Sequence, residues 1–570
     1  MCRSHLLVFA AVGLAGLCGC RSSHVAGSRV RSSHAYRISV DEYVDRMRAG
    51  WIGQMAGVGW GAPTEFKYKG AIIPQGEMPQ WEPQLVNQFQ QDDLYVEMTF
   101  LRTLELYGLD VSVRQAGIDF ANSGYPLWHA NRAGRDNLRA GIAPPDSGHP
   151  KYNKHADDID YQIESDYAGL IAPGLPNAVI QLSRTFGRLM NYGDGLYGGQ
   201  FVGGMYAAAF FENDRVKIVE AGLQCIPKES QYYQCISDLL KCYRHYPDDW
   251  VKTWGLINGK YQLNRRYRRS SCSGPRSDFN IDAKINGAYI VMGLLYGRGD
   301  PDKTILIATR CGQDSDCNPS SAAGILFTTI GFEKLPDKFK IALDPTGKFS
   351  HTPYDFPTLV SVSEKLAREA VVNGGGKIMA DNRGKEYFVI PRHKPRPIPL
   401  EQCWDPKPAS ESRYTEEEMA QITAPSGKDV SKAVEKFAPG WNVSRCGEDM
   451  NPGLREELRG RENVLVTHPL REDVACVLSR SINLPANRKS TLKLVVGHDA
   501  RGDWDLIVKA DGEPLFQKTI GPETTSVGWT GVNVNLSRFA GRTVKLELVN
   551  EPTGWHYEGA YWAEISILSE

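Results

Sequence analysis

The sequence lacks an excess of charge of either sign. Its 570 residues contain 66 Lys and Arg against 67 Asp and Glu, which gives a formal net charge of −1. A protein that binds nucleic acid usually carries a strongly basic surface, and this balance does not indicate one. We therefore expect no nucleic-acid partner and a small-molecule or glycan substrate.

The sequence also has few long runs of apolar residues. The apolar run at residues 6–17 is too short to span a bilayer. It follows Arg3 and ends at Leu17-Cys18-Gly19-Cys20, which is the order of a secretory signal peptide. This ending resembles the lipobox of bacterial lipoproteins, and the resemblance implies lipidation at Cys20. An ordinary cleaved signal peptide or a buried apolar segment is the alternative.

No Asp follows Cys20. By analogy with bacterial lipoproteins, this favours an exported chain whose lipid anchors it to the cell envelope at the outer membrane. Residues 1–20 would then be a lipoprotein signal peptide and residues 21–38 an N-terminal linker.

Paired cysteine motifs are missing as well. No Cys-x-x-Cys or His-x-x-x-His spacing indicates a zinc site. Nine cysteines follow residue 20, an odd number that leaves at least one unpaired. Export would permit disulfides, and Cys235, Cys242 and Cys272 are close enough in sequence to offer a pair.

Composition divides the remaining chain into two domains, as expected for this length. Residues 39–390 show mainly helical periodicity and predict an all-α domain, with a capping-box pattern at Ser39 and Glu42. Residues 391–440 are rich in proline and charge and predict an extended linker.

Residues 441–570 contain short alternating runs, with Asp511-Gly512 as a hairpin turn signal. We predict a β-sandwich there, similar to the jelly-roll carbohydrate-binding domains of exported glycosidases. Its aromatic residues could stack on sugar rings, although core packing is the commoner use of such residues.

Two short acidic segments stand out in the helical region. Gln91-Asp92-Asp93 and Gly312-Gln313-Asp314-Ser315-Asp316-Cys317 are more than two hundred residues apart. Neighbouring carboxylates repel each other, and a fold that buries them usually binds cations there. The alternative is that Asp92 and Asp93 open a helix and that Asp314 and Asp316 belong to a solvated turn.

These segments form part of a sharper pattern. Residues 53–65, Gly-Gln-Met-Ala-Gly-Val-Gly-Trp-Gly-Ala-Pro-Thr-Glu, precede them, and Ser321-Ala322-Ala323-Gly324 follows. The blocks, in this order, resemble the ADP-ribosylglycohydrolase family over about half of the chain. The resemblance implies a compact all-α fold around a two-metal centre, usually magnesium.

The resemblance also implies roles for individual residues. The metal ligands would be Gln91, Asp92, Asp93, Asp314, Asp316 and Cys317, with Asp316 bridging the two ions. Glu65 matches a glutamate that acts near the reacting sugar, and Glu65 or Asp92 would accept a proton from the attacking water. Mg²⁺ is expected at two sites, with Mn²⁺ or Ca²⁺ as alternatives.

The sequence departs from the family pattern at four positions. Gln91 and Cys317 stand where the family has threonines, Leu94 ends the usual Asp-Asp-Thr run, and Val58 replaces a common aspartate. The Gln91 carbonyl can still bind a metal. A thiol is a poor ligand for a hard cation, which leaves one metal site in question.

The middle of the chain is predicted to select the substrate. Residues 128–132 and 155–166 place many polar groups beside apolar ones, as in a sugar-binding pocket. The predicted substrate ligands are His129, Asn131, Asp158, Gln162, Glu164 and Tyr192. The alternatives are that His129 is a structural histidine and that Asp158, with Asp157, belongs to a solvated turn. Tyr192 lies where the family often has a histidine that touches the nucleotide sugar, and it favours a changed ligand.

Three functions remain open from the sequence. The first is hydrolysis of an O- or N-glycosidic bond in an extracellular saccharide. The second is removal of ADP-ribose, as the family name implies. The third is a non-catalytic sugar-binding lipoprotein, in which the altered ligands leave only a binding scaffold.

Overall fold

A computed structural model describes residues 35–422, 430–447, 449–450, 452–554 and 557–570. The predicted signal peptide, its Cys20 and most of the predicted N-terminal linker lie outside these residues. Among the described helices, none is both long enough and apolar enough for a membrane crossing.

The helical domain is built from a succession of mostly short helices. Their bounds are α1 Val40–Gly61, α2 Asp92–Tyr107, α3 Val113–Ala121, α4 Ala130–Arg139, α5 Asp160–Ile163, α6 Asp166–Leu170, α7 Pro176–Phe186, α8 Asp194–Ala209, α9 Arg215–Leu223, α10 Gln231–His245, α11 Trp250–Ile257, α12 Ala283–Gly297, α13 Pro301–Arg310, α14 Cys317–Ile330 and α15 Phe356–Asn373. The predicted helical character of this region is confirmed.

The central pair of the domain is α1 with α14. Ser39 caps α1, because its side chain accepts a hydrogen bond from the Glu42 backbone N–H at 3.2 Å. Sixteen of the helix's residues, from Val40 to Gly61, are buried. A helix buried on nearly every side belongs to the interior of a large domain, which places α1 at the centre of the core.

A small antiparallel sheet closes one side of the helical domain. Its strands are β1 Ala35–Ser39, β2 Lys377–Ala380 and β3 Glu386–Pro391, in the order β1-β3-β2. Strand β1 pairs with β3 along its whole length, from Ala35 opposite Pro391 to Ser39 opposite Tyr387. The start and the end of the helical region are thereby joined, an addition to the predicted all-α domain.

The C-terminal domain consists of two antiparallel five-stranded sheets. Its strands are β4 Asn442–Ser444, β5 Gly453–Leu458, β6 Arg461–Thr467, β7 Cys476–Asn483, β8 Ser490–His498, β9 Trp504–Ala510, β10 Glu513–Ile520, β11 Trp529–Asn535, β12 Thr543–Glu551 and β13 Ala560–Ser569. The strand orders are β10-β9-β12-β7-β4 and β11-β8-β13-β6-β5. Apart from the β9–β10 hairpin, strands β6 to β13 alternate between the two sheets as in a jelly roll, and the two sheets confirm the predicted sandwich.

The predicted hairpin turn at Asp511-Gly512 is confirmed between β9 and β10, where both residues have positive φ angles. Two tryptophans of this domain pack in its core. Trp504 and Trp562 are fully buried with ring centroids 5.3 Å apart. Of the two uses predicted for these aromatics, core packing is therefore the one that these tryptophans serve.

The proline-rich segment after residue 391 lies on the helical domain. Residues 392–412 contain no helix or strand, and they are followed by α16 Glu416–Met419 and α17 Val430–Phe437. The backbone N–H of Glu401 donates to the Tyr197 hydroxyl at 2.6 Å, and that of Ser410 donates to Asp146 at 3.0 Å. These contacts fix the segment along the domain surface.

The sandwich also contacts the helical domain directly. Arg132 of α4 forms an ion pair with Asp449, in which Nη2 lies 2.8 Å from Oδ2. Arg132 belongs to the segment 128–132, so the C-terminal domain lies beside one of the two segments predicted to select the substrate.

Candidate active site

Close packing of α1 and α14 brings the early and late sequence blocks together. Gly53, Gly57 and Gly61 follow one another at intervals of four residues on one face of α1. A Cβ atom on Gly53 would lie 2.6 Å from the Cα atom of Gly324, and one on Gly57 would lie 2.5 Å from the Ser320 nitrogen. Only glycine permits this approach of the two backbones.

The loop after α1 is tied to the late acidic segment by backbone hydrogen bonds. The Phe66 N–H donates to the Gln313 carbonyl at 3.1 Å, and the Gln313 N–H donates to the Tyr68 carbonyl at 2.9 Å. The hydroxyls of Thr64 and Ser315 lie 2.8 Å apart. Glu65, between Thr64 and Phe66, is thereby held beside the segment 312–317.

The late acidic segment is buried. Asp314 is 2 % exposed and Asp316 is 3 % exposed, so the alternative of a solvated turn is wrong for this pair. The potential ligand atoms of Asp314, Asp316 and Cys317 all lie within 4.8 Å of one another. This part of the chain can therefore surround a single ion.

The early acidic pair begins α2. Asp92 and Asp93 occupy the first turn of this helix, as the structural alternative predicted, and Gln91 precedes it at the N-cap. The pair nevertheless belongs with the late segment, since Asp92 lines the same cleft as Asp314 and Asp316. Burial, followed by the charges of neighbouring carboxylates that include Asp316, raises the pKa values of both Asp92 and Asp93. Opening a helix and belonging to the acidic cluster are compatible roles for these residues.

Burial and mutual repulsion raise the pKa values throughout the cluster. Loss of solvent, with the charges of Asp316 and Asp92, raises the pKa of Glu65 to about 8. Burial and the charge of Asp316 raise the pKa of Asp92 to about 6. Burial also raises the pKa values of Asp93, Asp314 and Asp316. Without a cation, the cluster cannot hold all of its negative charges.

Unpartnered oxygen atoms indicate that the cluster fits a metal. Both carboxylate oxygens of Asp93, Oδ2 of Asp314 and Oδ1 of Asp316 are buried without a hydrogen-bond partner in the described chain. Buried oxygens without partners are destabilising, and carboxylates are the ligands that Mg²⁺ and Mn²⁺ prefer. Cys317 offers a soft sulfur donor, which Mg²⁺ does not prefer, so it is the weakest potential ligand of the cluster.

The cluster lies in a cleft of about 970 Å³ with aromatic walls. Glu65, Gln91, Asp92, Asp314, Asp316 and Cys317 line it. Of the side chains around them, Trp128 is 62 % exposed and available for stacking. The aromatic and imidazole rings in the lining are Phe66, Tyr95, Trp128, His129, Phe279 and His351.

Two of the predicted substrate ligands, His129 and Asn131, line this cleft. The Asn131 side chain is already engaged within the protein. Its Nδ2 donates to Glu164 at 2.7 Å, and its Oδ1 accepts from the backbone N–H groups of Trp128 and Arg132. Asn131 therefore shapes the segment 128–132, whereas the His129 ring is placed to meet a substrate.

The other four predicted substrate ligands do not line the cleft in the described structure. Gln162 is fully buried and accepts a hydrogen bond from the Tyr232 hydroxyl at 2.6 Å. Glu164 is buried beneath Asn131, and Asp158 is buried against the His155 ring. Their expected contact with substrate is corrected: each polar side chain is turned into the domain, where it serves other protein groups.

Tyr192 lies in a separate part of the domain. It is 5 % exposed and clusters with Ala156 and Cys403, and its hydroxyl accepts a hydrogen bond from the Lys407 N–H at 3.2 Å. The proline-rich segment covers this position. The sequence-based inference of a changed ligand from Tyr192 therefore has no support in the geometry.

Several cleft residues were not predicted. Tyr95 lies one turn of α2 after Asp92, and Asp160 lies within the polar segment 155–166, so both positions carried a partial signal in the sequence. Lys69, Phe279 and His351 also line the cleft. They come from loops without a recognisable motif, and only the folded chain brings them to the site.

The ADP-ribosylglycohydrolase family model matches residues 39–373, more than half of the chain. A solved structure described as an "ADP-ribosylglycohydrolase-related protein complex" is 14 % identical; the match covers 58 % of this chain and 99 % of that one, with a TM-score of 0.37.

Two solved carbohydrate-binding or adhesin domains also show matches, each over 23 % of this chain. The CBM22-1 xylan-binding domain of Paenibacillus barcinonensis Xyn10C is 16 % identical, with 86 % of its chain covered and a TM-score of 0.18. The K1 cleaved adhesin domain of Lys-gingipain from Porphyromonas gingivalis W83 is 15 % identical, with 91 % covered and a TM-score of 0.19. No curated protein matches this chain. On the family match over residues 39–373, the chain belongs to the ADP-ribosylglycohydrolase family.

Proposed function

We propose that this protein is a metal-dependent hydrolase that cleaves a glycosidic bond in an extracellular saccharide. The observation that carries the proposal is the convergence of Glu65, Asp92 and Asp316 on one cleft with aromatic walls. Carboxylates that bind a cation beside a ring-stacking surface suit a sugar whose hydroxyls are held while its anomeric carbon reacts.

Asp92, Asp93, Asp314 and Asp316 would hold the metal, and the Gln91 carbonyl could add a neutral oxygen. Once bound, Mg²⁺ would orient sugar hydroxyls and polarise a water molecule. Cys317 stands beside Asp316 with a soft sulfur donor, so one side of the centre has a weaker ligand set for a hard cation than the family pattern implies.

Glu65 is the candidate acid–base group. Its side chain lines the cleft beside the acidic cluster. In the metal-free protein, burial and the charges of Asp316 and Asp92 raise its pKa to about 8, and a cation bound by these aspartates would lower the pKa so that Glu65 is ionised and can act as a base. Its position is fixed by the hydrogen bonds of Thr64 and Phe66 to the segment 312–317. Glu65 would accept the proton of the attacking water.

The charge of the cleft favours an uncharged sugar. Among the described residues that line it, Lys69 is the one lysine or arginine. A diphosphate carries at least two negative charges, which usually require several cationic or amide donors. Trp128, Phe279 and Tyr95 instead offer ring surfaces suited to saccharides.

True ADP-ribosyl hydrolysis is the second candidate function, and family membership favours it. In that case Lys69 would meet a phosphate group of the ligand. A non-catalytic sugar-binding lipoprotein is the third candidate, since Cys317 weakens the centre. Export and anchoring at the outer membrane rest on the N-terminal sequence and remain part of the proposal.

The deciding experiment measures the release of reducing sugar from a glycan panel with and without Mg²⁺, in parallel with ADP-ribose release from a labelled conjugate. We expect release from a glycan that disappears with EDTA and in Asp92→Asn and Asp316→Asn. Release of ADP-ribose alone would replace our proposal with the second function. Metal binding without any turnover would support the third.

A further inference from the structure

A second group of metal-ligating side chains lies beside the cleft. His155, Asp158 and Cys272 each place one potential ligand atom within 4.8 Å of the other two. His155 Nδ1 lies 2.7 Å from Asp158 Oδ2. The group is separate from the acidic cluster, and the His155 ring lies next to His129, with centroids 5.4 Å apart.

We propose that His155, Asp158 and Cys272 bind one divalent ion of the zinc class. Nitrogen, oxygen and sulfur donors in one group suit Zn²⁺ or Co²⁺, whereas the all-carboxylate cluster suits Mg²⁺. Binding would break the S–H bond of Cys272, leave the thiolate on the metal and release the proton to solvent.

An unpartnered oxygen points to a ligand at this position. Asp158 is completely buried, yet its Oδ1 has no hydrogen-bond partner among the described residues. A buried carboxylate oxygen left without a partner costs about 1–3 kcal/mol or more. An ion between Asp158, the imidazole and the thiol would satisfy this oxygen.

The surrounding charge also favours a cation. Asp157, Asp160 and Asp282 are buried near Asp158, and Asp194 is buried near Asp157. Lys284 is the buried lysine that neutralises this group, with its Nζ 3.4 Å from Asp157 and 3.2 Å from Asp282.

The net charge of these buried groups remains negative after Lys284 is counted. The buried Lys284 and the guanidinium of Arg268, which lies near Asp282, face five carboxylates, and each of the five keeps a buried oxygen atom without a hydrogen-bond partner within the described structure. The Arg268 guanidinium itself bonds to carbonyl and hydroxyl oxygens, for example the Phe279 carbonyl at 2.8 Å. A divalent ion would reduce the remaining excess of negative charge.

The site is open to solvent on one side. The His155 side chain is 18 % exposed, and it lines a groove of about 490 Å³ between the helical domain and residues 470–473 of the sandwich. An ion could reach the ligands through this groove. Three protein ligands with a fourth position facing water is an arrangement that zinc uses in open sites.

An ion here would hold together two segments of the chain that line the cleft. Asp158 immediately precedes Ile159 and Asp160, and Cys272 lies on the loop that leads to Phe279 and Ile281. These four residues line the cleft from two different loops. The backbone already joins the loops, because the Ile159 N–H donates to the Ile281 carbonyl at 3.0 Å.

The test uses Co²⁺ as the probe, added to the full chain after removal of metal with EDTA. Cobalt bound by a thiolate gives a sulfur-to-cobalt charge-transfer band in the near ultraviolet. In the wild type we expect this band with an intensity that corresponds to about one thiolate-bound Co²⁺ per chain. Cys272→Ser should lose the band, and His155→Gln should weaken cobalt binding by at least about tenfold.

Cys317→Ser is the matched control, because Cys317 is the thiol of the acidic cluster. It should retain the band. The proposal is overturned if the wild type gives no band, or if the band persists in Cys272→Ser. Loss of the band in Cys317→Ser instead would place the cobalt in the acidic cluster and also overturn it. None of these outcomes depends on the hydrolytic function.

Discussion

Gly61 lies so close to Asp316 that a Cβ atom on the glycine would be 2.6 Å from the aspartate Cα atom. The last turn of α1 therefore touches Asp316, the N-cap residue of α14, which carries a central carboxylate of the site. The same contact sets the distance between Glu65, four residues after Gly61, and the acidic cluster. The packing of α1 against α14 therefore also determines the geometry of the site.

Gly57→Ala should destabilise the helical domain. The added methyl group would meet the Ser320 backbone nitrogen at 2.5 Å, where neither backbone can move without separating the helices. We expect a loss of at least about 1–3 kcal/mol in the free energy of unfolding, measured with denaturant.

Gly255→Ala is the matched control. Gly255 lies in α11, where a Cβ atom would meet no other atom within 4 Å. This substitution should leave stability unchanged or raise it by about 0.5–1 kcal/mol. Equal effects at the two positions would contradict the close packing of α1 with α14.

Removal of one carboxylate from the late segment should abolish metal-dependent stabilisation. Mg²⁺ bound to the native state raises the melting temperature, because the unfolded chain lacks the assembled ligands. We expect a Mg²⁺-dependent rise in Tm for the wild type and none for Asp314→Asn, measured by scanning calorimetry. Asp337→Asn, whose side chain is 86 % exposed, should behave as the wild type does.

Glu65→Gln should separate catalysis from metal binding. Glu65 is placed beside the metal ligands, and loss of a general base typically lowers the rate about 10²–10⁴-fold. The variant should lose activity on the responding glycan while keeping the Mg²⁺-dependent shift in Tm. Glu82→Gln, at an exposed position of the same domain, controls for surface charge. Full activity in Glu65→Gln would remove this residue from the mechanism.

Metal-free protein should lose stability as the pH rises. The folded pKa values of Asp92 and Glu65, about 6 and about 8, lie above their ordinary values of 3.8 and 4.5. Between the ordinary and the raised values the folded state binds more protons than the unfolded state, so the free energy of unfolding falls with increasing pH.

The measurement is Tm against pH in EDTA for the wild type and for Asp92→Asn. The variant should show a shallower decrease up to about pH 6, where Asp92 titrates. Mg²⁺ should reduce the decrease in the wild type, because the cation stabilises the charged carboxylates. Identical curves for both proteins would show that the pKa of Asp92 is not raised in the folded protein.

Trp504→Ala should destabilise the sandwich. Trp504 is fully buried and its indole N–H donates to the Gly497 carbonyl at 3.0 Å, so truncation leaves both a cavity and an unpaired carbonyl. We expect a loss of about 3–5 kcal/mol in the free energy of unfolding, measured by denaturant unfolding of the full chain. Val527→Ala, at a residue that is 90 % exposed, should have little effect. Little effect at Trp504 would contradict its place in the core.

Local patterns in the sequence were enough to predict the main elements. The cap at Ser39, the turn at Asp511-Gly512 and the change from helical to strand periodicity depend on neighbouring residues only, and the structure confirms them. The acidic segments were found in the same way, because paired carboxylates beside apolar helices are unusual at any position.

The substrate residues show where such inference fails. Gln162, Glu164 and Tyr192 are polar and lie in or near suggestive segments, but their side chains face other protein groups. A polar side chain can line a cleft or form a hydrogen bond with a buried group. The outcome depends on which face of its helix or loop is directed toward the cleft, and the local sequence does not encode that orientation.

The sequence by itself determined the two domain types, the family and the carboxylates of the candidate centre, because each follows from local periodicity or from a short ordered motif. Only the tertiary structure decided which loops wall the cleft, and only it brought Cys272 to His155 and Asp158. Ligands more than a hundred residues apart leave no spacing to recognise, since their proximity results from the packing of the whole helical domain.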